Sequence, residues 1–275
     1  MSLPVETWYA AIFRRRSRRT YISKPVDGEK MERLDDACRN FRPFPGARSE
    51  LVWNSPQPVF KGLIGRYGRV TGAPHYIAFI GAMDAPRVQE ATGYMGEGII
   101  LEATALGLGT CWVGGFFRPA AVRRDLSLAE NERVLSVTPV GYPVPREDLS
   151  ERLLEGLAGS RRRRSLAELV LEGRPAGWAG QALEAARLAP SARNRQPWRF
   201  RIQDRSIIVA EDGKPSLSSI SKRLDCGIAM LHLELGGRAA GVNGHWEFLK
   251  SPDVARFVSA SGVPVARMTP PENVG

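Results

Sequence analysis

The 275-residue chain has little of what builds disulfide frameworks, metal centres or membrane anchors. Its three cysteines, Cys38, Cys111 and Cys226, are odd in number, far apart and without CxxC spacing. They read as reduced thiols of a cytosolic protein. The three histidines, His75, His232 and His245, form no metal-ligand pair. His245 and Trp246 close a helix-like stretch and fit a packing role. Long hydrophobic runs are scarce. Trp8–Phe13 is too short for a signal peptide, and Arg14–Arg19 follows it where a signal peptide would have its charges first. The longest apolar run, Gly98–Phe117, carries Glu102 and several glycines. That suits a buried helix and a loop better than a membrane span. No nucleic-acid module or aromatic-interleaved basic stripe stands out. A cytoplasmic protein with neither membrane nor nucleic-acid partner is expected.

Acidic residues are also in deficit: 29 Asp and Glu against 39 Lys and Arg, a net charge of +10. Such a balance suits nucleic acid, acidic membranes or phosphorylated ligands, although most of the surplus is spread out as on any soluble surface. Two knots stand apart. Arg14–Arg19 holds five arginines around Ser17, and Arg161–Arg164 holds four. Arginine pairs bidentately with phosphate oxygens and a hydroxyl adds a directional donor. A solvated charge run is the plainer alternative for the first knot, and the second could instead be a repeat of the first.

With 43% hydrophobic residues the chain can build one large or two small cores. Periodicity predicts helices over Glu6–Phe13, Glu29–Arg39 and Glu147–Leu157, with Met31, Leu34 and Cys38 on one face of the second. Asn40–Ser55 reads as irregular, Gly62–Gly72 as helix or loop, and Pro74–Gly81 and Arg133–Gly141 as strands around a turn at Leu126–Asn131. Gly93–Leu106 is the strongest helix, apolar nearly all round and therefore central. It ends at Gly107, a C-cap position. In the loop beyond it, Gly114-Gly115 lets backbone approach a flat ligand closely.

Ala189–Phe200, APSARNRQPWRF, follows the helix Gln181–Leu188 and precedes an alternating run, RFRIQDRSIIVA, that reads as a strand. Pro190 and Pro197 fix φ at two points. Ser191, Asn194 and Gln196 offer polar side chains to a ligand and Trp198 an apolar face. A helix-to-strand corner with a packed Trp is the plainer reading.

A faint internal repeat is visible. LDDACR at Leu34 and LEAARL at Leu183 each follow an arginine knot, 149 residues apart (183 − 34). Gly93 and Gly107 bracket one apolar helix, and Gly227 and Gly241 bracket another at the same spacing of 14. The pattern predicts a fused pseudo-dimer with halves at 1–158 and 159–275.

These residues carry a resemblance to the FMN-dependent nitroreductase superfamily. RRSRRTY resembles its N-terminal Arg-x-Ser-x-Arg/Lys cluster, and APSARNRQPWRF its Pro-Ser-x-x-Asn-x-Gln-Pro-Trp turn. ALGLGTCWVGGF followed by LSLAENERVLSVTPVGYP resembles its core helix, flavin-facing loop and strand. The resemblance implies an α+β, three-layer fold, with antiparallel and mixed sheets flanked by helices and two fused halves around a central helix pair. Family members carry each motif once and dimerise. Here the good turn lies in the second half and the good loop in the first.

One intact FMN site is therefore implied. By the resemblance, Arg15, Arg16 and Ser17 take the phosphate end and Arg19 lies near the pyrimidine edge. Gly114 and Gly115 face the flavin, and Pro190, Ser191 and Asn194 reach it from the other half. Arg161, Arg163 and Arg69 fall near further family contacts. The mirror-image site, built from the degenerate turn and loop, is expected to be inactive. The implied chemistry is ping-pong hydride transfer from NADH or NADPH through FMN to an electron-poor small molecule such as a nitroaromatic or quinone. The flavin carries the reaction, so no catalytic side chain is assigned. Other flavin chemistry on the same scaffold and a non-catalytic FMN-binding protein are the alternatives. The chain is expected to work as a monomeric pseudo-dimer, with further dimerisation open.

Overall fold

The computed structural model describes residues 2–54, 59–60, 70–145, 162–215 and 220–260. The predicted helix at Glu147–Leu157, Arg69, Arg161 and most of Gly62–Gly72 lie outside the described residues.

Two long helices form the centre: α3 (Val88–Ala105) and α7 (Lys222–Ala239). From Glu90 to Ala103 and from Leu224 to Gly237 every residue is buried, as expected for helices without a solvent face. They cross at two glycines. A Cβ on Gly93 would lie 2.0 Å from the Leu224 carbonyl oxygen, and a Cβ on Gly227 would lie 2.2 Å from that of Glu90. Only residues without a Cβ permit this approach. The contact is reciprocal at a constant separation of 134 (227 − 93 and 224 − 90). The helix ends match at the same separation. Gly107 has φ +78° and Gly241 φ +81°. Leu108 N donates to Ala103 O and Val242 N to Gly237 O, both at 2.9 Å. These are Schellman-type closures.

One sheet has the order β1-β2-β3: Ala47–Val52, His75–Ala82 and Glu132–Val140, all antiparallel. Central β2 is buried on both faces. Its Ile77 and Phe79 join the main core, while Tyr76, Ala78 and Ile80 join a smaller cluster with Val113, Val122 and Val137. Helices α1 (Val5–Arg14) and α2 (Gly28–Asn40) cover the main-core side with Trp8, Ile12, Met31 and Leu34. The short α4 (Pro119–Asp125) supplies Val122 on the other side.

The second sheet has the order β4-β5-β6-β8-β7, with β4 (Val170–Glu172) parallel to β5 (Trp198–Gln203). The other pairs, formed with β6 (Ser206–Glu211), β7 (Gly244–Phe248) and β8 (Asp253–Ser259), are antiparallel. Helices α5 (Leu166–Leu169) and α6 (Gly177–Arg187) precede β5. A single hydrophobic cluster runs from Trp8 through both central helices to Phe257.

Three expectations change. Residues 47–52, within the stretch read as irregular, form β1, because pairing with β2 and an alternating burial of Ala47, Ser49 and Leu51 outweigh weak local propensity. RFRIQDRSIIVA is not one strand but a hairpin, with Gln203 paired to Ser206 across Asp204-Arg205. His245 and Trp246 lie in β7, because Gly241 has already ended the helix.

Candidate functional site

The APSARNRQPW turn lies between α6 and β5, and its backbone is strained. Arg193, Asn194 and Gln196 have φ of +54°, +55° and +48°. Left-handed conformations cost non-glycine residues about 1 kcal/mol or more each and gather at functional sites. The turn is held from inside and from below. Ser191 Oγ accepts from Gln196 N at 2.9 Å. Asp225 on α7 accepts from Ala192 N at 3.1 Å and from Arg195 Nε at 2.7 Å. Burial pushes the Asp225 carboxyl up to about 6, against the pull of Arg195 and the Ala192 amide. Trp198 is fully buried in the core, so its ring packs and does not face a ligand.

The polar side chains of the turn clasp the second arginine knot. Asn194 Nδ2 donates to Arg162 O at 2.8 Å and Gln196 Nε2 to the same oxygen at 3.1 Å. Gln196 Oε1 accepts from Arg164 N at 2.9 Å. Between these anchors Arg163 turns inward and donates to Asn194 Oδ1 at 2.9 Å and Leu188 O at 3.3 Å. Burial, and then the like charges of Arg15, Arg16 and Arg187, press its guanidinium down to about 10. Arg187 is paired with Glu184 at 2.7 Å.

The first knot meets this cluster from the end of α1. Arg15 is 7% exposed, and its Nε has no hydrogen-bond partner among the described residues. That Nε lies 3.7 Å from Glu97 Oε1, in the middle of α3. Arg16 bends back to the carbonyls of Phe13 and Arg15 at 3.0 and 2.7 Å, closing the helix end. Ser17 pairs with Thr110 in an isolated bridge, and Arg18 N donates to Thr110 O at 2.7 Å. The knot is thereby tied to the glycine loop. Arg19 Nε is also buried without a partner among the described residues.

The glycine loop is zipped to β3 through Val113 and Val137, whose amides and carbonyls pair at 2.9 Å in both directions. A Cβ on Gly114 would lie 2.6 Å from Ile220 Cδ1. The Ile220 carbonyl accepts from Arg195 of the turn at 2.9 Å. Gly115 is exposed. The structure thus brings Arg15, Arg16, Arg163 and Asn194 together, and joins Ser17 and Gly114 to that group through Thr110 and Ile220. Pro190 is buried at the head of the turn, and Ser191 closes it. Three or more guanidinium groups partly withdrawn from water repel one another, and an anion among them relieves that repulsion.

Sequence reasoning did not find Glu97, Trp112, His232 or Asp225. Glu97 is fully buried and accepts from Trp112 Nε1 at 2.7 Å, with His232 Nε2 2.9 Å away. A signal was present. Glu97, His232 and Asp225 stand in mostly apolar helices that are buried all round, and a polar group there must have a partner.

The sheet topology and central helix pair define the class: the nitroreductase fold. A structure from Thermotoga maritima, described as a "putative nitroreductase", superimposes with a TM-score of 0.62 at 20% identity, over 92% of this chain and 93% of that one. The family model described as "Putative TM nitroreductase" matches residues 7–237. The chain belongs to that nitroreductase family, which places it among oxidoreductases. A curated protein of Archaeoglobus fulgidus, described as "Putative NADH dehydrogenase/NAD(P)H nitroreductase", is 28% identical over 156 residues, 51% of this chain and 87% of that protein. A nitroreductase with bound FMN from Bacteroides fragilis matches 52% of this chain and 91% of its own at 16% identity, with a TM-score of 0.40. No helix among the described residues is long and apolar enough to cross a membrane.

Proposed function

We propose that this chain is an FMN-dependent NAD(P)H oxidoreductase that reduces an electron-poor small molecule, a nitroaromatic or quinone, by ping-pong hydride transfer. The observation that carries the reading is the arginine cluster. Buried Arg15, whose Nε has among the described residues no hydrogen bond and only Glu97 as a distant counter-charge at 3.7 Å, lies close to an Arg163 whose ionisation is opposed first by burial and then by its arginine neighbours. A phosphate dianion answers both demands. Arg15, Arg16 and Arg163 would hold the FMN phosphate, with Ser17 and Arg19 along the same edge. Gly115 leaves backbone exposed for the ring, Gly114 lets the same loop close on Ile220, and Asn194 fixes Arg163 from the turn. When bound, FMN supplies the two-electron hydride chemistry. The residues bind, orient and charge-balance it.

We further propose one working site per chain, formed between two fused halves, 1–158 and 159–275. The reciprocal glycine crossing and the matched helix ends support the halves. Phe248 stands 134 residues beyond Gly114 (248 − 114) and packs on Phe44, from the degenerate turn, at a ring separation of 5.0 Å. Phe44 also meets Tyr94 at 5.0 Å. This aromatic packing at the mirror-image position supports the reading that no second flavin sits there.

The test is anaerobic titration of the purified chain with FMN, followed by NADH or NADPH. About one FMN per chain that bleaches with nicotinamide is expected, because the bound cofactor carries the hydride step. Two FMN per chain overturns the single site, and no bleaching with either nicotinamide overturns the reductase.

A further inference from the structure

Glu97 lies where a charge is expensive. It is fully buried, and its carboxylate is shared by three elements outside its own helix. Oε2 accepts from Trp112 Nε1 at 2.7 Å, and Trp112 lies two residues before Gly114. Oε1 lies 2.9 Å from His232 Nε2 on α7 and 3.7 Å from Arg15 Nε at the end of α1. The other ring nitrogen, His232 Nδ1, is 3.0 Å from Ala185 O on α6, the helix that leads into the turn. A carbonyl oxygen only accepts, so Nδ1 carries a proton, and a second proton lies between Nε2 and Oε1.

The chain contains its own comparison. The position 134 residues further on, at the same place in α7, is Leu231, also fully buried (231 − 97 = 134). The helix pair therefore accepts a hydrocarbon at that position. Buried ionic groups seldom add net stability over well-packed apolar ones, although breaking them is costly. At this helix position the carboxylate stands on the side of the intact glycine loop and leucine on the side where Phe248 replaces glycine, where Trp246 donates instead to Glu234 at 2.8 Å.

We propose that Glu97 is the positioning residue of the site: through Arg15 it sets the phosphate arm, and through Trp112 it sets the glycine loop that faces the ring. His232 braces it against the helix that carries the turn. This inference rests on the FMN reading above.

The test compares FMN with riboflavin, which lacks the phosphate, in wild type, Glu97→Gln, Arg15→Gln, the double variant and Trp112→Phe. The readouts are the two dissociation constants, the absorption spectrum of the bound flavin and the melting temperature. A glutamine amide offers one oxygen where the carboxylate offers two, and it carries no charge for Arg15. Glu97→Gln is expected to lower the FMN-over-riboflavin preference about tenfold, the scale of one charge-assisted contact, and to shift the bound-flavin spectrum. In the Arg15→Gln background it should lower the preference no further. Trp112→Phe should shift the spectrum and leave the preference intact, which keeps the test alive should Glu97→Gln not fold. Equal weakening of both flavins with an unchanged spectrum marks a merely structural role and overturns the proposal. So does a preference that rises, which marks Glu97 as a competing counter-charge. Wild type that holds neither flavin overturns the FMN reading itself, before any variant is compared.

Discussion

Replacing Gly227 with alanine probes the crossing on which the central helix pair depends. The new Cβ would lie 2.2 Å from the Glu90 carbonyl oxygen, 2.9 Å from its carbon and 3.0 Å from its Cα. All three are backbone atoms of a buried helix, so no side chain can turn aside. Restoring ordinary contact requires the helices to part by about 1 Å, and a gap of that size forfeits a quarter to a half of each dispersion contact across it. Overpacking of this kind typically costs about 1–3 kcal/mol, and the rigid neighbours here place it at about 3 kcal/mol. Alanine's better helix propensity returns about 1 kcal/mol. The net loss of about 2 kcal/mol corresponds to a melting temperature about 4–8 °C lower for a chain of this size. Gly28→Ala serves as the reference. It sits at the first position of α2 with nothing within 4 Å, so it has no clash to offset. Thermal unfolding followed by far-UV circular dichroism compares the two. If Gly227→Ala melts no lower than Gly28→Ala, the close helix crossing is not what holds the two sheets together.

Two other outcomes are expected. The Asp225 carboxyl is raised from 3.8 to about 6, so its contribution to stability is fully present below 3.8 and is lost as pH rises through about 6. The stability of Asp225→Asn relative to wild type should therefore increase across that window, as read from urea midpoints at a series of pH values; a flat difference refutes the burial argument. Arg193→Gly should raise stability by about 0.5–1 kcal/mol, because glycine relieves φ +54° at an exposed position. A lower urea midpoint for that variant would show that the Arg193 side chain matters more than its backbone.

The elements legible in the sequence are those whose pattern is local. Helix α3 announces itself by being apolar nearly all round and by the glycine that closes it. Strand β2 does so by an unbroken apolar run. Strand β1 does not, because Arg48 and Glu50 face outward and only three inward residues carry its alternation. Strand β7 is hidden because Trp246 becomes intelligible only once its indole is seen donating to Glu234 at 2.8 Å, from twelve residues away. At the site, arginine content and spacing suggest an anion, and the proline-flanked turn suggests rigidity. Which groups meet is not legible. Asn194 and Gln196 look like ligand-facing side chains until residues 162–164 are found in their grasp. The partnership of Glu97 with His232 spans 135 residues, a separation at which periodicity carries no information.

The clasp of Asn194 and Gln196 on residues 162–164 has a consequence for how the arginine cluster is assembled. Arg15, Arg16 and Arg163 belong to one polypeptide. The local concentration of each guanidinium at the cluster is therefore set by the fold and not by the amount of protein in solution. Dilution does not disperse the cluster, and exchange between molecules cannot replace a damaged arginine with an intact one.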